Sequence, residues 1–264
     1  MELIVTSQQD PAGTNMYNLF VKEFGFIEDG EFDGKPRYKR DDYVLINVKK
    51  TVLELEYLNE HFSPEIYLVG SKHQSAQKVK SLTCHTPGNW AKAEFGGNDR
   101  ELCVSPPLYL HAVLQELKKF PDQEFIKNYE VTHHGPSSMN APMLFAEVGG
   151  SEEEWNNIDA CRAVCRALLV QPKLGEAHIA NGFGGTHYAP SFSKLTHTAI
   201  GHICPKYHLD NLDEEMVLQS FEKTFPRAKF AVIDWKGCNK EQRDKLISIF
   251  EKNNIEWKRI KEVD

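Results

Sequence analysis

The sequence predicts an α/β protein: a single three-layer domain built on a mixed, largely parallel sheet. Short apolar runs alternate with amphipathic helical patterns along most of the 264 residues, as in folds that cover both faces of a sheet with helices. No internal repeat, low-complexity tract or convincing linker interrupts this alternation. The length suffices for one substantial core, so we expect residues 1–264 to form one domain.

Each predicted strand is a short run of apolar residues bounded by polar or turn residues. Several runs are continuous rather than alternating, which indicates strands buried on both faces. In chain order the predicted strands cover residues 3–6, 43–48, 66–69, 81–84, 125–132, 143–148, 177–180, 199–204, 230–235 and 257–260. Residues 29–42 form the most polar and turn-rich stretch, where we expect a surface loop or hairpin.

The helices are predicted from apolar spacing and from the residues at their ends. Residues 15–23 follow the turn signal at Asp10 and Pro11, and residues 107–120 open on a proline. Residues 151–169 begin with Ser-Glu-Glu-Glu, a capping-box pattern with acidic side chains at the positive end of the helix dipole. Residues 213–225 and 240–252 are two further amphipathic patterns.

Composition excludes several classes of protein. The formal charge is −7, which argues against a surface that is basic all over but leaves room for a local basic groove. No stretch approaches 18 uninterrupted apolar residues and no signal-peptide pattern is present, so we expect a cytoplasmic protein without a membrane span. The six cysteines form no CxxC pair, which argues against a zinc ribbon and suits reduced thiols.

Histidines gather in four places, each after a predicted strand. The segments are GSKHQSAQ, soon followed by LTCHTPGNW; VTHHGP; AHIANGFGGTHYAP; and GHICPKYH. In open α/β sheets, ligands lie beyond the carboxyl ends of the strands. These polar segments would therefore converge if their strands are neighbours, and histidines from several strand ends together with Glu147 are compatible with a zinc site.

The adjacent pair His133 and His134 has two interpretations. Side chains of successive strand residues point to opposite faces, so one ring would be solvated and the other hydrogen-bonded in a purely structural role. A functional role for both requires irregular backbone, which Gly135 and Pro136 make plausible. One histidine would then bind a metal and the other would orient substrate or water.

The other segments also leave alternatives open. The glycines at 182–185 match no phosphate-binding motif, yet they would let backbone amides approach a ligand; otherwise they form a tight turn that exposes His187. His202 and Lys206 suit metal ligation or proton transfer, although Lys206 can equally be solvated. Without an HExxH or GxSxG motif, zincin peptidases and ordinary serine hydrolases lack support.

Taken together, GSKHQSAQ, LTCHTPGNW, VTHHGP, AEVGGSEEEW, GGTHYAP and GHICPKYH resemble the motifs of the archaeal and plant type of D-aminoacyl-tRNA deacylase. The resemblance runs from SQQDPAGTN to GHICPKYHLD, and more loosely to FAVIDWKG. It implies hydrolysis of the ester between a D-amino acid and the 3′ end of tRNA, a proofreading and detoxifying reaction. It also implies an architecture related to peptidyl-tRNA hydrolases and phosphorylases, and a monomer that uses one or two zinc ions.

On this resemblance we assign roles to particular residues. The expected pool of zinc ligands is His85, His133, His134, His187 and His202. The catalytic residues are His73 or Glu147 as general base and Lys206 near the oxyanion or a terminal phosphate. Substrate binding falls to Ser71, Asn89, Gly184, Gly185 and Thr186, with the glycines admitting the terminal adenosine or the amino acid.

The negative net charge stands in tension with a tRNA substrate, because tRNA binding needs contacts to phosphates. Lysines near the predicted crevice would ease this tension if they form a local patch: Lys72, Lys78, Lys80, Lys92, Lys194 and Lys206. Competing functions are a metal-dependent amidase or peptidase on small substrates, a non-catalytic RNA-binding module with structural zinc and, on architecture alone, a phosphorylase.

Overall fold

A computed structural model describes residues 1–172 and 178–263. Within them the strands form two sheets. The first has eight strands in the order β2-β3-β4-β1-β5-β8-β6-β7. Their bounds are β1 Glu2–Ser7, β2 Ile27–Phe32, β3 Lys35–Arg40, β4 Tyr43–Val48, β5 Ile66–Gln74, β6 Ser81–His85, β7 Ile126–Tyr129 and β8 Met143–Gly150. The hairpin β2–β3 and the pair β6–β8 are antiparallel, whereas β4, β1, β5 and β8 run parallel.

The second sheet has four parallel strands in the order β10-β9-β11-β12. Their bounds are β9 His178–Phe183, β10 Thr198–Cys204, β11 Phe230–Ile233 and β12 Glu256–Arg259. The predicted mixture of mostly parallel and some antiparallel strands is therefore confirmed, although the strands form two sheets and not one. The first residue of the strand predicted at 177–180 lies outside the described residues.

Helices cover the sheets on both sides, as expected. Their bounds are α1 Pro11–Glu23, α2 Pro107–Leu117, α3 Glu152–Trp155, α4 Ile158–Leu168, α5 Pro190–Ser193, α6 Glu214–Glu222 and α7 Lys240–Lys252. Helices α1, α2 and α4 share one core with residues of both sheets, including Leu68 of β5 and Ile200 of β10. Helices α6 and α7 close a second core on the other side of the smaller sheet. Among the described residues, no helix has the length and apolarity to cross a membrane.

The single helix predicted over residues 151–169 is wrong, because the structure has two helices there. The capping box between Ser151 and Glu154 is present, but α3 ends at Trp155. Asn157 then adopts an extended backbone, and its side chain accepts hydrogen bonds from the amides of Asp159 and Ala160. An asparagine at this position is a preferred helix start, so it begins α4 as a new helix.

Strand β5 continues beyond the predicted end at residue 69. Its segment Gly70 to Gln74 pairs in register with Ala146 to Gly150 of β8. Polar residues are thereby carried into the middle of a covered sheet, and this extension places Ser71 and His73 on one face of β5. The site is built on that face.

Candidate active site

Five histidines and two glutamates converge on one face of the larger sheet. His73 lies on β5, Glu147 on β8 and His85 at the end of β6. Glu147 is opposite Ser71 in the register, and the Ser71 hydroxyl donates to Glu147 Oε1 at 2.6 Å. The remaining members, which are Glu130, His133, His134 and His187, follow β7 and β9 in the chain.

The backbone at the histidine pair is irregular in the way a shared role requires. His134 has a positive φ of 45°, so it leaves the extended conformation and both rings turn to the same side. The centroids of the His133 and His134 rings are 4.3 Å apart, and both lie within 4.8 Å of the His85 ring. The next residue, Gly135, has no room for a side chain. A Cβ there would meet the backbone of Gly96 and Gly97 at 2.3 Å. The two rings are therefore not divided between opposite faces, as a regular strand would divide them.

Glu130 lies at the centre of the group and was not predicted from the sequence. Its Oε2 is 3.1 Å from His73 Nδ1, 3.1 Å from His187 Nε2 and 3.5 Å from His133 Nε2. Glu147 Oε2 lies 3.4 Å from the same His73 nitrogen and 3.6 Å from His85 Nε2. Two buried carboxylates are thus held among imidazole nitrogens.

Hydrogen bonds to the backbone fix the direction of three rings. Nδ1 of His133 donates to the carbonyl of Val131 at 2.8 Å, and Nδ1 of His134 donates to that of Gly135 at 2.6 Å. His85 Nδ1 lies 3.3 Å from the carbonyl of Thr86. With Nδ1 protonated, Nε2 of each ring is the free lone pair, and these three histidines form one group of potential ligands.

The electrostatics of the site favour a cation. Burial raises the pKa of Glu130, but hydrogen bonds from His187 and His73 outweigh it and hold the pKa well below its usual range. For His73 the balance is reversed: burial lowers the pKa, while Glu130 and Glu147 raise it to about 11. Burial lowers the pKa of His134 to about 4 and that of His133 well below its ordinary value, so both stay neutral, which is the metal-binding form.

The donor atoms around Glu130 Oε2 are of the type that zinc binds, and their distances from this oxygen are of the size that zinc coordination requires. Zinc bound at about 2.1 Å in a tetrahedron separates neighbouring ligand atoms by about 3.4 Å, and the atoms around Glu130 Oε2 lie 3.1–3.5 Å from it. Several buried polar atoms have no hydrogen-bond partner within the described residues: Nε2 of His73 and His85, Oε1 of Glu130 and Oε2 of Glu147. Buried groups of this kind normally have a partner, so an ion is a physical reason for leaving them free.

The cluster is closed towards the sheet and open on one side. The side chains of His73, His85, Glu130 and Glu147 are at most 7% exposed, whereas that of His133 is 22% and that of His187 is 34% exposed. Substrate would therefore enter past His133 and His187.

Comparison with known proteins identifies the family. The sequence model of the D-aminoacyl-tRNA deacylase family matches residues 60–258. The chain belongs to this family. A D-aminoacyl-tRNA deacylase of Thermococcus onnurineus is 36% identical, covering 97% of this chain and 99% of that protein. One of Methanocaldococcus jannaschii is 33% identical, covering 98% and 99%.

A solved structure supports the same assignment of fold. It is described as a conserved protein of unknown function, and it superimposes on this chain with a TM-score of 0.88 at 29% sequence identity. The match covers all of this chain and 96% of the other. The deacylase fold described above is therefore shared along the whole length.

Not all predicted site residues of this deacylase reach the cluster. His202 is buried, with Nδ1 3.1 Å from the Thr132 hydroxyl and Nε2 3.1 Å from the carbonyl of Lys223. The Thr132 oxygen already accepts from the Ile203 amide, so its hydroxyl donates to Nδ1 and His202 Nε2–H donates to Lys223. Both nitrogens are occupied, and the structure corrects the prediction of His202 as a metal ligand.

The side chains of Lys206 and Asn89 form no hydrogen bond or ion pair with the cluster in the described part of the chain. The side chain of Lys206 is exposed, and its amide donates to the carbonyl of Gly185. The Asn89 side chain donates to the carbonyls of Gly96 and Asn98, so it shapes the loop beside Gly135. Both hydrogen bonds of the Asn89 amide nitrogen therefore go to the loop, and this nitrogen has a structural role.

The predicted glycine segment does lead into the site. Gly184 and Gly185 both have positive φ, and they connect β9 to His187. A Cβ on Gly184 would meet the Cys238 sulfur at 2.5 Å, so the turn packs closely on the segment after β11. The exposed Thr186 hydroxyl donates to the carbonyl of Tyr188, which stabilises the turn.

Two residues were missed, and one of them carried a signal. Glu130 is an acid in an apolar-leaning run that leads to a histidine three positions later, and this spacing could have marked it. Tyr188 gave no comparable signal. Its ring lies 5.6 Å from that of His73, and its hydroxyl is buried with no partner in the described part of the chain.

Proposed function

We propose that the cluster of His73, His85, Glu130, Glu147 and their neighbours hydrolyses the ester bond of D-aminoacyl-tRNA. Membership of the D-aminoacyl-tRNA deacylase family assigns this reaction to the chain. The observation that carries the assignment to this cluster is the set of buried carboxylate and imidazole atoms left without partners among the described residues. Such atoms await a ligand, and they lie beneath His133 and His187, the side of the cluster that opens to solvent.

We further propose that zinc is the cofactor. One candidate set of ligands is His73, Glu130, His133 and His187, in which the ion would replace the proton that Glu130 and Glu147 stabilise on His73. A second set is His85, His133 and His134. The two sets share the single free nitrogen of His133, so they hold one ion between them. A second ion would need the third group, His85, Glu130 and Glu147. When bound, zinc supplies a Lewis acid for the ester carbonyl and lowers the pKa of water near it.

The protein's own groups then handle the proton and the developing charge. Ser71 occupies Oε1 of Glu147, so Oε2 faces the cluster and takes the proton from the attacking water. The hydroxyl of Tyr188 is a donor without an acceptor in the described residues, and we assign it to the ester oxygen on which negative charge develops.

The test compares D-tyrosyl-tRNA with L-tyrosyl-tRNA, with and without a chelator. We expect hydrolysis of the D-ester alone, lost on removal of zinc and restored by zinc. Inertness towards both esters in zinc-replete buffer would refute the deacylase activity. Cleavage of small peptides with indifference to tRNA would favour the amidase alternative, whereas full activity after rigorous zinc removal would reject only the metal.

Variants assign the reaction to the cluster. We expect His133→Ala and His134→Ala to lower turnover by at least about 100-fold, the scale of general acid–base groups. His61→Ala is the matched control, because His61 packs against Phe32 and Tyr57, away from the cluster. Tyr188→Phe should lower kcat while the zinc content stays unchanged. Normal rates in both histidine variants would return the pair to a structural role.

Location and assembly are proposed on separate grounds. All six cysteines are unpaired and buried, which suits the reducing cytoplasm in which we place the enzyme. That it acts as a monomer on the acceptor end of tRNA stays a prediction, which size-exclusion chromatography with light scattering would check.

A further inference from the structure

Basic residues collect at one edge of the smaller sheet. The last 42 residues carry 11 Lys and Arg against 7 Asp and Glu, whereas the rest of the chain carries 20 against 31. The positive charge therefore belongs to the part of the chain that builds β11, α7 and β12. This asymmetry reopens the question of where an acidic protein would contact tRNA phosphates.

The strand register places several of these cations at the carboxyl edge of that sheet. Phe183 of β9 pairs with Ile233 of β11, and Ile233 pairs with Arg259 of β12. Asp234, Trp235 and Lys236 follow the end of β11, so they lie at the same edge as Arg259. Since strands are about 4.8 Å apart, Arg259 is roughly 10 Å across the sheet from the end of β9, where the chain turns towards His187.

Aromatic stacking orders this edge. The guanidinium carbons of Arg259 and Arg243 lie 4.0 Å and 4.7 Å from the centre of the Trp235 ring. Trp235 in turn stacks on Trp257, with 6.3 Å between centroids and 11° between planes. Arg243 also donates to the carbonyls of Trp235 and Cys238, so it is held in place before any ligand arrives.

Two lysines at the edge have free ammonium groups. Lys236 and Lys240 are exposed and form no ion pair within the described residues. Arg259 has a weak partner in Glu262 at 3.8 Å, and Asp234 accepts from the amide of Gly237. By contrast, two lysines predicted to bind tRNA are occupied: Lys80 pairs with Glu124, and Lys72 lies over the Trp155 ring.

The edge is continuous with the active site. The amide of Asp234 donates to the carbonyl of Phe183, and a Cβ on Gly237 would meet the amide nitrogen of Gly185 at 2.6 Å. The turn that carries Lys236 therefore packs directly on the turn that carries His187. A polyanion attached to a substrate at His187 would pass over these cations.

We propose that this edge, formed by Trp235, Lys236, Lys240, Arg243 and Arg259, binds the phosphates of the acceptor arm of tRNA. This inference rests on the proposed function, since it needs the ester to lie at the histidine cluster. The ordered arginines would orient the sugar-phosphate backbone of the tRNA, and the lysines would add positive charge without distinguishing one base sequence from another. Binding at this edge reconciles a negative protein with a polyanionic substrate.

The test uses the double variant Lys236→Ala/Lys240→Ala. Its matched control is Lys35→Ala/Lys39→Ala, which removes two exposed lysines from β3 near the opposite end of the larger sheet. Binding of deacylated tRNA, which carries no amino acid, is measured by fluorescence anisotropy between 0.05 and 0.5 M salt. Each lost phosphate contact should lower the slope of log affinity against log salt by about 0.7–0.9, which is a factor of about 5–8 over a tenfold change in salt.

Activity supplies the second readout. The variant should raise KM for D-tyrosyl-tRNA with little change in kcat, and it should hydrolyse the D-tyrosyl ester of adenosine, which has no phosphate, at the wild-type rate. A wild-type salt slope in the variant, or an equal loss in the control, would overturn the proposal. Binding of deacylated tRNA does not depend on hydrolysis. An inactive wild type would therefore count against the proposed reaction, while the comparison of salt slopes would still test this binding site.

Discussion

The substitution Glu130→Gln tests the centre of the site. It keeps the size of the side chain and removes one fully buried negative charge. Glu130 Oε2 is 3.1 Å from nitrogens of His73 and His187, and an ion held among these atoms would lie no farther from the carboxylate. At that distance the attraction between two unit charges is roughly 5 kcal/mol at an effective dielectric of about 20, before the cost of burial is subtracted. If half of that remains, zinc affinity falls by about 100-fold, because 1.4 kcal/mol corresponds to a factor of ten.

The assay holds free zinc at defined levels with a competing chelator. Bound zinc and hydrolysis of D-tyrosyl-tRNA are then measured in the same buffers. Both curves of Glu130→Gln should shift together to higher free zinc. The control is Glu2→Gln, since Glu2 is a buried glutamate at the beginning of β1 that contacts Tyr109 and Gln171. Wild-type zinc affinity and turnover in Glu130→Gln would refute the reasoning.

Three further predictions concern the frame of the site. Gly135→Ala should lower the free energy of unfolding by at least about 2 kcal/mol, as urea titration would show, because its Cβ would meet the backbone of Gly96 at 2.3 Å; an unchanged midpoint contradicts this. His202→Ala should lower the free energy of unfolding by about 1–3 kcal/mol, because the Thr132 hydroxyl and the Lys223 carbonyl lose their buried partner, yet it should leave the zinc content intact. Loss of zinc from the folded variant would restore His202 as a ligand. Burial raises the pKa of Asp10 to about 6, so its contribution to stability is present below about pH 4 and lost as pH rises through 6. Asp10→Asn should lack this loss of about 3 kcal/mol in unfolding titrations at pH 4 and 7, and parallel pH profiles of variant and wild type would argue against it.

Much of the fold could be predicted because the apolar runs and helix ends are local signals. The strand Tyr43–Val48 and the helix Lys240–Lys252 have the predicted bounds. The division into two sheets could not be predicted, since pairing between strands depends on contacts that no local pattern encodes. The polar end of β5 was missed for the same reason: Ser71 and His73 extend a strand only because β8 lies beside them.

The candidate site was partly accessible to sequence reasoning. His73, His85, His133, His134, His187 and Glu147 were all singled out, and they meet in the structure. The error on His202 came from placing it at a strand end, facing the crevice, when it lies within β10 and bonds to Thr132 and Lys223. The position of Lys206 depended on the direction of an exposed side chain, which spacing alone does not determine.

The segment after β7 has a mechanical consequence for the enzyme. The amide of Glu130 bonds to Cys84 in the larger sheet, whereas the amides of Val131 and Thr132 bond to His187 and Ile203 on the side of the smaller sheet. Residues 130–132 therefore connect the two sheets through backbone hydrogen bonds. Movement of one sheet relative to the other would change the 3.1 Å distance between Glu130 and His187. Such movement would also break the hydrogen bonds of the Val131 and Thr132 amides, so slow hydrogen exchange at these two amides would show that the enzyme keeps this distance fixed.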